Sequence, residues 1–218
     1  MSMRDDLSVE KVDDEAAWRD SLTVLESVYQ GEKGWIQSTE DFFPAADLGS
    51  ERVSWFLARL SGEPVGLLRV LYEIPFALYE EYQFELVDSS IDVEAFVRDN
   101  RIAEIGRFAV VPEHRKKILV AAILMRAAAT ETVERNFTHF ITDVFEGDPN
   151  SPFDFHRRIL GFQIVATHDA GELHTQFRRI TMLLDLREAL LRLRSGNNWI
   201  FRYITQGWSD KIWQQLSA

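Results

Sequence analysis

The stretch that most constrains the fold runs from residue 102 to residue 135. Ile102–Val111 (IAEIGRFAVV) is apolar apart from Glu104 and Arg107 and reads as a buried strand. Pro112 follows, which removes a ladder donor and ends it. A short basic loop, His114-Arg115-Lys116-Lys117, leads into a helical pattern over 114–135, rich in alanine and poor in β-branched residues in its second half. Strand, tight loop and helix start in this order bring free backbone N–H groups and the positive helix end beside three cations. Such a place binds anions, phosphate above all. Cations in a first turn oppose the helix dipole unless an anion is present. The alternative is that Arg115, Lys116 and Lys117 are ordinary surface charges.

The remaining pattern surrounds this unit. Trp18, Leu22, Leu25 and Tyr29 mark one face of a helix over Asp13–Lys33, with Gly34 as its breaker and a loop over 35–50. Residues 53–60 and 65–73 form a hairpin across Ser61-Gly62. Asp92 caps a short helix ending near Asp99. Then come a strand at 137–145, a helix at 152–160 ending at Gly161, strands at 162–168 and 175–184, and a basic amphipathic helix at 185–194. The order predicts an α/β fold, a mixed, partly parallel central sheet flanked by helices. Residues 1–13 read as a polar lead-in, 14–186 as the main domain and 187–218 as a C-terminal helical tail rich in tryptophan. Leu190, Leu191, Leu193, Trp199, Phe201, Tyr203, Trp208 and Trp213 suit that tail to cover the core, to form a homodimer or to line an acyl-chain tunnel.

Composition excludes several chemistries. With no cysteine there is no disulfide framework, thiol nucleophile or Cys-ligated zinc. His139, His168 and His174 have no metal-ligand spacing, so no metal is expected. A net charge of −11 disfavours nucleic acid and anionic membrane surfaces as partners. The N-terminus is acidic and polar, unlike a signal peptide, and no apolar run approaches the ~18 residues of a membrane span. The expectation is a soluble, cytoplasmic protein.

Two segments carry a resemblance. Glu104-Ile-Gly-Arg-Phe-Ala-Val-Val-Pro-Glu-His-Arg115 resembles the fourth strand and acyl-donor loop of the GNAT acyltransferase superfamily. Phe155-His-Arg-Arg-Ile-Leu-Gly-Phe162 resembles its late helix, which ends in Leu-Gly-Phe. The element order from about residue 14 to 186 matches as well. Ile118 and Val120 stand where the family's donor loop carries small residues. Within the superfamily, Glu104-Ile-Gly-Arg-Phe108, Gly66-Leu-Leu-Arg69 followed by Pro75, and Tyr29–Trp35 are similar to segments of the acyl-homoserine lactone synthases and N-acyl amino acid synthases. The arginine usual in the first helix of those enzymes is missing, since Leu22 to Tyr29 has none.

The resemblance implies an N-acyltransferase that moves an acyl group from acyl-CoA or an acyl carrier protein to the amine of a small molecule. It implies that the backbone of Ala109, Val110 and Val111 binds the donor's pantetheine arm. Arg115, Lys116, Lys117, Ile118, Leu119 and Val120 would form the donor loop. Acyl transfer needs a base, oxyanion donors and an acid for the leaving thiolate. Glu104, on a central strand, is the candidate base, or else a salt-bridge partner of an arginine. His156 is the candidate acid as an imidazolium, or else a helix residue with no chemistry. Arg69 and Arg107, arginines within apolar strands, must pair with a carboxylate or face a cavity. They and Trp35 are candidate substrate contacts. The altered loop also admits a second reading, a non-catalytic acyl- or partner-binding module.

Overall fold

The computed structural model describes residues 6–74, 82–196 and 198–217. Its strands hydrogen-bond in the order β1 (Leu7–Lys11), β2 (Val53–Leu60), β3 (Glu63–Leu71), β5 (Ile102–Val110), β6 (His139–Phe145), β8 (Arg179–Asp185), β7 (Gln163–His168), β4 (Glu85–Leu86). The chain forms two compact units, one built from the chain up to Tyr72 with Gly106–Ala129, the other from Glu73–Ile105 with the chain from Thr130 onward. Among the described residues no helix is long and apolar enough to cross a membrane.

In the first unit, β2 (Val53–Leu60) and β3 (Glu63–Leu71) form the expected antiparallel hairpin. Its turn residues Ser61 and Gly62 both have positive φ, the mirror-image turn that matches strand twist. Helix α1 (Glu15–Leu25) is capped by Asp14, whose carboxylate accepts from the Ala17 N–H at 2.8 Å. It continues as a π-helical turn, Glu26–Glu32, and stops at Gly34 in the left-handed region. The loop that follows includes the short helix α2 (Thr39–Phe42) and is packed down. Phe43 is fully buried and stacks on Trp55 at 3.9 Å, while the indole N–H of Trp18 donates to the Phe43 carbonyl.

The lead-in needs correcting, because Leu7–Lys11 is a strand, β1, paired antiparallel with β2. Edge strands tolerate polar residues, and this one is half solvated. Leu7 and Val9 are half-buried, Ser8 and Glu10 are exposed, and Glu10 pairs with Arg59 of β2 at 2.7 Å. Five residues with so little apolar content carry no strand signal of their own.

In the second unit, β5 (Ile102–Val110) runs parallel to β6 (His139–Phe145) over Ile102–Glu104. Strand β6 pairs antiparallel with β8 (Arg179–Asp185), β8 with β7 (Gln163–His168), and β7 with β4 (Glu85–Leu86). Asp92 caps α3 (Val93–Asp99) as expected. Helix α4 (Ile118–Glu134) spans the boundary between the two units in sequence. Three helices end the chain, α5 (Leu186–Ser195), α6 (Trp199–Ile204) and α7 (Asp210–Ser217). Leu190, Leu193, Ile200, Ile204 and Ile212 are buried, so the tail covers core. The Trp208 indole donates to the Thr130 hydroxyl at 2.9 Å and packs on Trp213 at 5.2 Å. A second π-helical turn, Phe155–Leu160, ends at Gly161 with φ of 93°. The Arg192 guanidinium of α5 donates to the Leu160 carbonyl and fills the space where a Gly161 side chain would stand.

Candidate active site

Strand β5 changes character at Arg107. Up to Glu104 it is in register with β6, Glu104 opposite Ile141. Arg107 has φ of 53°, a conformation uncommon for a residue with a side chain. Its guanidinium stacks 3.7 Å from the centre of the Phe42 ring. From Gly106 onward the strand belongs to the first unit, where β3 flanks it. Among the described residues no other strand of that unit pairs with its second edge. The Val111 N–H donates to the Val65 carbonyl at the start of β3. Ala109 is buried and Val110 half-buried.

After Val111 the chain makes a single 3₁₀ turn, Pro112–His114, before α4 begins at Ile118. The N–H groups of His114, Lys117 and Val120 bond within this turn, to Val111, His114 and Lys117. Those of Ile118 and Leu119 lie in the first turn of α4, where a helix offers no internal acceptor. Arg115 does not extend into solvent. Its Nε donates to the Val110 carbonyl at 3.1 Å and its fork grips the Glu32 carboxylate. Lys116 is exposed and Lys117 half-buried.

The two bulky residues of the expected donor loop differ in placement. Ile118 is 40% exposed, but Val120 is buried at 1% and points onto Gly66 of β3. A Cβ on Gly66 would come within 3.0 Å of Val120 Cγ1 and 3.2 Å of the Ala109 carbonyl oxygen. The glycine therefore absorbs the bulk at 120.

The candidate substrate contacts lie in the first unit. Trp35 is buried, its ring edge-on to Tyr29 at 6.1 Å and covered by Lys33 Nζ at 4.1 Å. Arg69 is half-buried, opposite Trp55 in the hairpin. Pro75 lies outside the described residues.

Glu104 and His156, the expected base and acid, both lie in the second unit. Glu104 is half-buried between the buried Ala103 and Ile105. His156 is fully buried, with Phe155 and Phe162 edge-on to its ring at 5.8 and 5.0 Å. Burial pushes its pKa down to about 4, against the smaller opposing effect of its bond to the Pro152 carbonyl. The ring is therefore neutral near pH 7, and its Nδ1–H donates to Pro152 at 2.9 Å. That corrects the imidazolium expected from sequence. His156 and Leu160 turn inward while Arg157 and Arg158 are exposed, a pattern that marks a core-facing position.

One constellation escaped the sequence reading. Asp143 on β6, Thr181 on β8 and His168 on β7 converge in the second unit. Thr181 Oγ1 donates to Asp143 Oδ1 at 2.8 Å, and His168 Nε2 lies 3.0 Å from Asp143 Oδ2. The residues are 38 and 25 positions apart, and nothing local announces their meeting. Among the described residues no group of three or more His, Cys, Asp or Glu side chains could hold a metal ion.

Comparison with known proteins agrees with this architecture. FeeM, an N-acyl amino acid synthase from uncultured soil microbes, superposes with a TM-score of 0.65 at 14% identity, over 87% of this chain and 96% of that one. The spermidine/spermine N-acetyltransferase SpeG from Vibrio cholerae gives 0.58 at 13% identity, over 88% and 99%. An aminoglycoside 6'-acetyltransferase of type Ii gives 0.57 at 14%, over 82% and 97%. At these identities the likeness is one of fold. No curated protein matches the chain in sequence. The pattern of the acetyltransferase (GNAT) family does match, across residues 17–162, and by that match, over most of its length, the chain belongs to this family.

Proposed function

We propose that this protein transfers an acyl group from acyl-CoA to a primary amine of a small molecule. The observation that carries the reading is the end of β5. Its register with β6 covers Ile102–Glu104; beyond that, among the described residues, no strand of its own unit pairs with its second edge, and it leads through one turn to a helix start. An extended pantetheine arm carries amides that can add to that edge as a strand would. The N–H groups of Ile118 and Leu119, with Lys116 and Lys117, suit the pyrophosphate. Burial of Val120 against Gly66 removes one of the two bulky groups from this loop.

In this reading the amine nitrogen attacks the thioester carbon, a C–N bond forms and the C–S bond breaks. Glu104 takes the proton that the amine loses, and the thiolate leaves with a proton from solvent. His156 supports the late helix from inside. The net charge of −11 favours CoA over an acidic carrier protein as donor.

The test is thermal unfolding with CoA, acetyl-CoA and a long-chain acyl-CoA, followed by thiol release with amino acids, polyamines and aminoglycosides as acceptors. Ligand at about 100 times its Kd adds roughly 2.7 kcal/mol, which for a chain of this size is a rise of about 5–10 °C. Stabilisation with amine-dependent thiol release supports the reading. Stabilisation with no thiol release from any amine makes the protein a binding module. No response to any CoA species overturns the CoA site.

A further inference from the structure

The Asp143 network is built outward. The His168 side chain is fully enclosed and Thr181 is fully buried, but the Asp143 side chain keeps 30% of its surface. A network that only fastened strands together would have no reason to leave its anion as the exposed member. His168 Nδ1 lies 2.8 Å from the Ala170 carbonyl, which can only accept, so that nitrogen carries a proton. Nε2 faces the Asp143 carboxylate at 3.0 Å. The imidazole stacks with Phe84 at 4.5 Å and with Tyr82 at 5.7 Å, both within 18° of parallel. Arg179, itself buried, bonds the carbonyls of Asp169 and Leu173 and so pins the loop that presents Ala170.

A carboxylate offers about four lone-pair sites. Thr181 and His168 take one on each oxygen, which fixes the plane of the group and leaves the others for an outside donor. The register says where that donor would be. Glu104 and Ile141 are partners in the parallel pair, so their side chains share a face, and Asp143 is two residues on. Diagonal neighbours of this kind have Cα atoms roughly 8 Å apart. On the opposite face of the same strands, Ala103, Ile105, Phe140, Thr142 and Val144 are all buried, whereas Glu104 and Asp143 are both half-buried.

We propose that Asp143 receives an N–H of the acceptor's amino group, beside Glu104, with His168 and Thr181 as positioning residues that hold the carboxylate for it. This rests on the N-acyltransferase reading and names the carboxylate that receives the acceptor's amino group beside Glu104. Arg179 interacts electrostatically with Asp143 and offsets part of its charge, and the carboxylate holds the amino group by hydrogen bonds.

The test needs no known substrate. 1-Butylamine and 1-butanol are titrated into the isotope-labelled protein to about 50 mM, enough to fill a millimolar site, with the His168 ring and Thr181 methyl signals as readout. The amine shifts both, the alcohol neither, and Asp143→Asn abolishes the response. No shift with the amine, or an equal shift with the alcohol, overturns the proposal even if Asp143→Asn fails to fold. With an acceptor in hand, Thr181→Val raises its KM about tenfold, Thr181→Ser restores it, and the KM for the acyl donor stays unchanged. A uniform fall in kcat with unaltered acceptor KM would assign the network to structure alone. Failure of acyl transfer with the NMR response intact would sink the transferase reading but not the amine site. Turnover without that response would do the reverse.

Discussion

Gly66 and Val120 are fitted to each other, with Val120 Cγ1 3.0 Å from where a side chain on Gly66 would begin. Leu124 Cδ1 stands at 3.1 Å and the Ala109 carbonyl oxygen at 3.2 Å from the same point. The two methyl groups can move by rotamer changes, but the carbonyl belongs to β5 and cannot move alone. Gly66→Ala should therefore cost about 1–3 kcal/mol by overpacking, a loss of roughly 3–10 °C in Tm. Adding Val120→Ala should return part of it, since the two sites share a contact. Calorimetry of the three variants checks this, and strict additivity would show that the contact carries no energy.

Arg115 stands between two claims. Its fork is held by Glu32, yet in the proposed reading the same side chain belongs to the loop that receives the donor's phosphates. With side chains 21% and 28% exposed, the pair adds little to stability, at most about 1 kcal/mol. Glu32→Gln should leave Tm within a few degrees and tighten CoA binding by up to about fivefold, since one competing anion is gone. Arg115→Ala should weaken it. Titration calorimetry at low salt measures both. Equal CoA affinity in all three proteins would remove Arg115 from the donor site.

His156 makes stability depend on pH. Its folded pKa, about 4, lies below the unfolded value of 6.5, so the unfolded chain binds the proton first as pH falls. The stability held by the neutral ring is complete above pH 6.5 and drains away between there and about pH 4. The slope contributed is at most about 1.4 kcal/mol per pH unit. His156→Phe, matched in bulk, should lose less stability than wild type between pH 7 and pH 5 in urea melts. Parallel losses would place the acid sensitivity elsewhere.

Gly161 sits at φ of 93° with Arg192 Nη2 only 1.7 Å from the position of a Cβ. Gly161→Ala meets both backbone strain and a displaced guanidinium, and should cost about 1–3 kcal/mol. Arg192→Ala in the same background should relieve the second part alone. If Gly161→Ala melts like wild type, the tail helix α5 does not depend on this contact.

How far the sequence could be read depended on range. Helix α1, the β2–β3 hairpin and the β5–loop–α4 unit each carry their signal within a dozen or so residues, as apolar period, turn chemistry or a breaking proline. The Gly66 and Gly161 motifs were visible, but their causes, Val120 and Arg192, lie far along the chain. Strand β1 was missed because it borrows its stability from β2. Arg115 was placed in the donor loop, but Glu32, 83 residues away, was invisible as its partner. The same holds for Asp143 and His168, where only the pairing of β6, β8 and β7 makes neighbours of an aspartate and a histidine that look ordinary.

The tryptophans divide evenly, with Trp18, Trp35 and Trp55 in the first unit and Trp199, Trp208 and Trp213 in the second. Their surroundings differ. Trp55 is sealed under Phe43, whereas Trp199 is 39% exposed and Trp208 shares a hydroxyl with α4. The chain thus carries an optical gauge in each half. Replacing the three indoles of one half by phenylalanine would leave emission that reports on the other. Melting followed by the two colours would show whether the halves come apart as one cooperative body or in sequence.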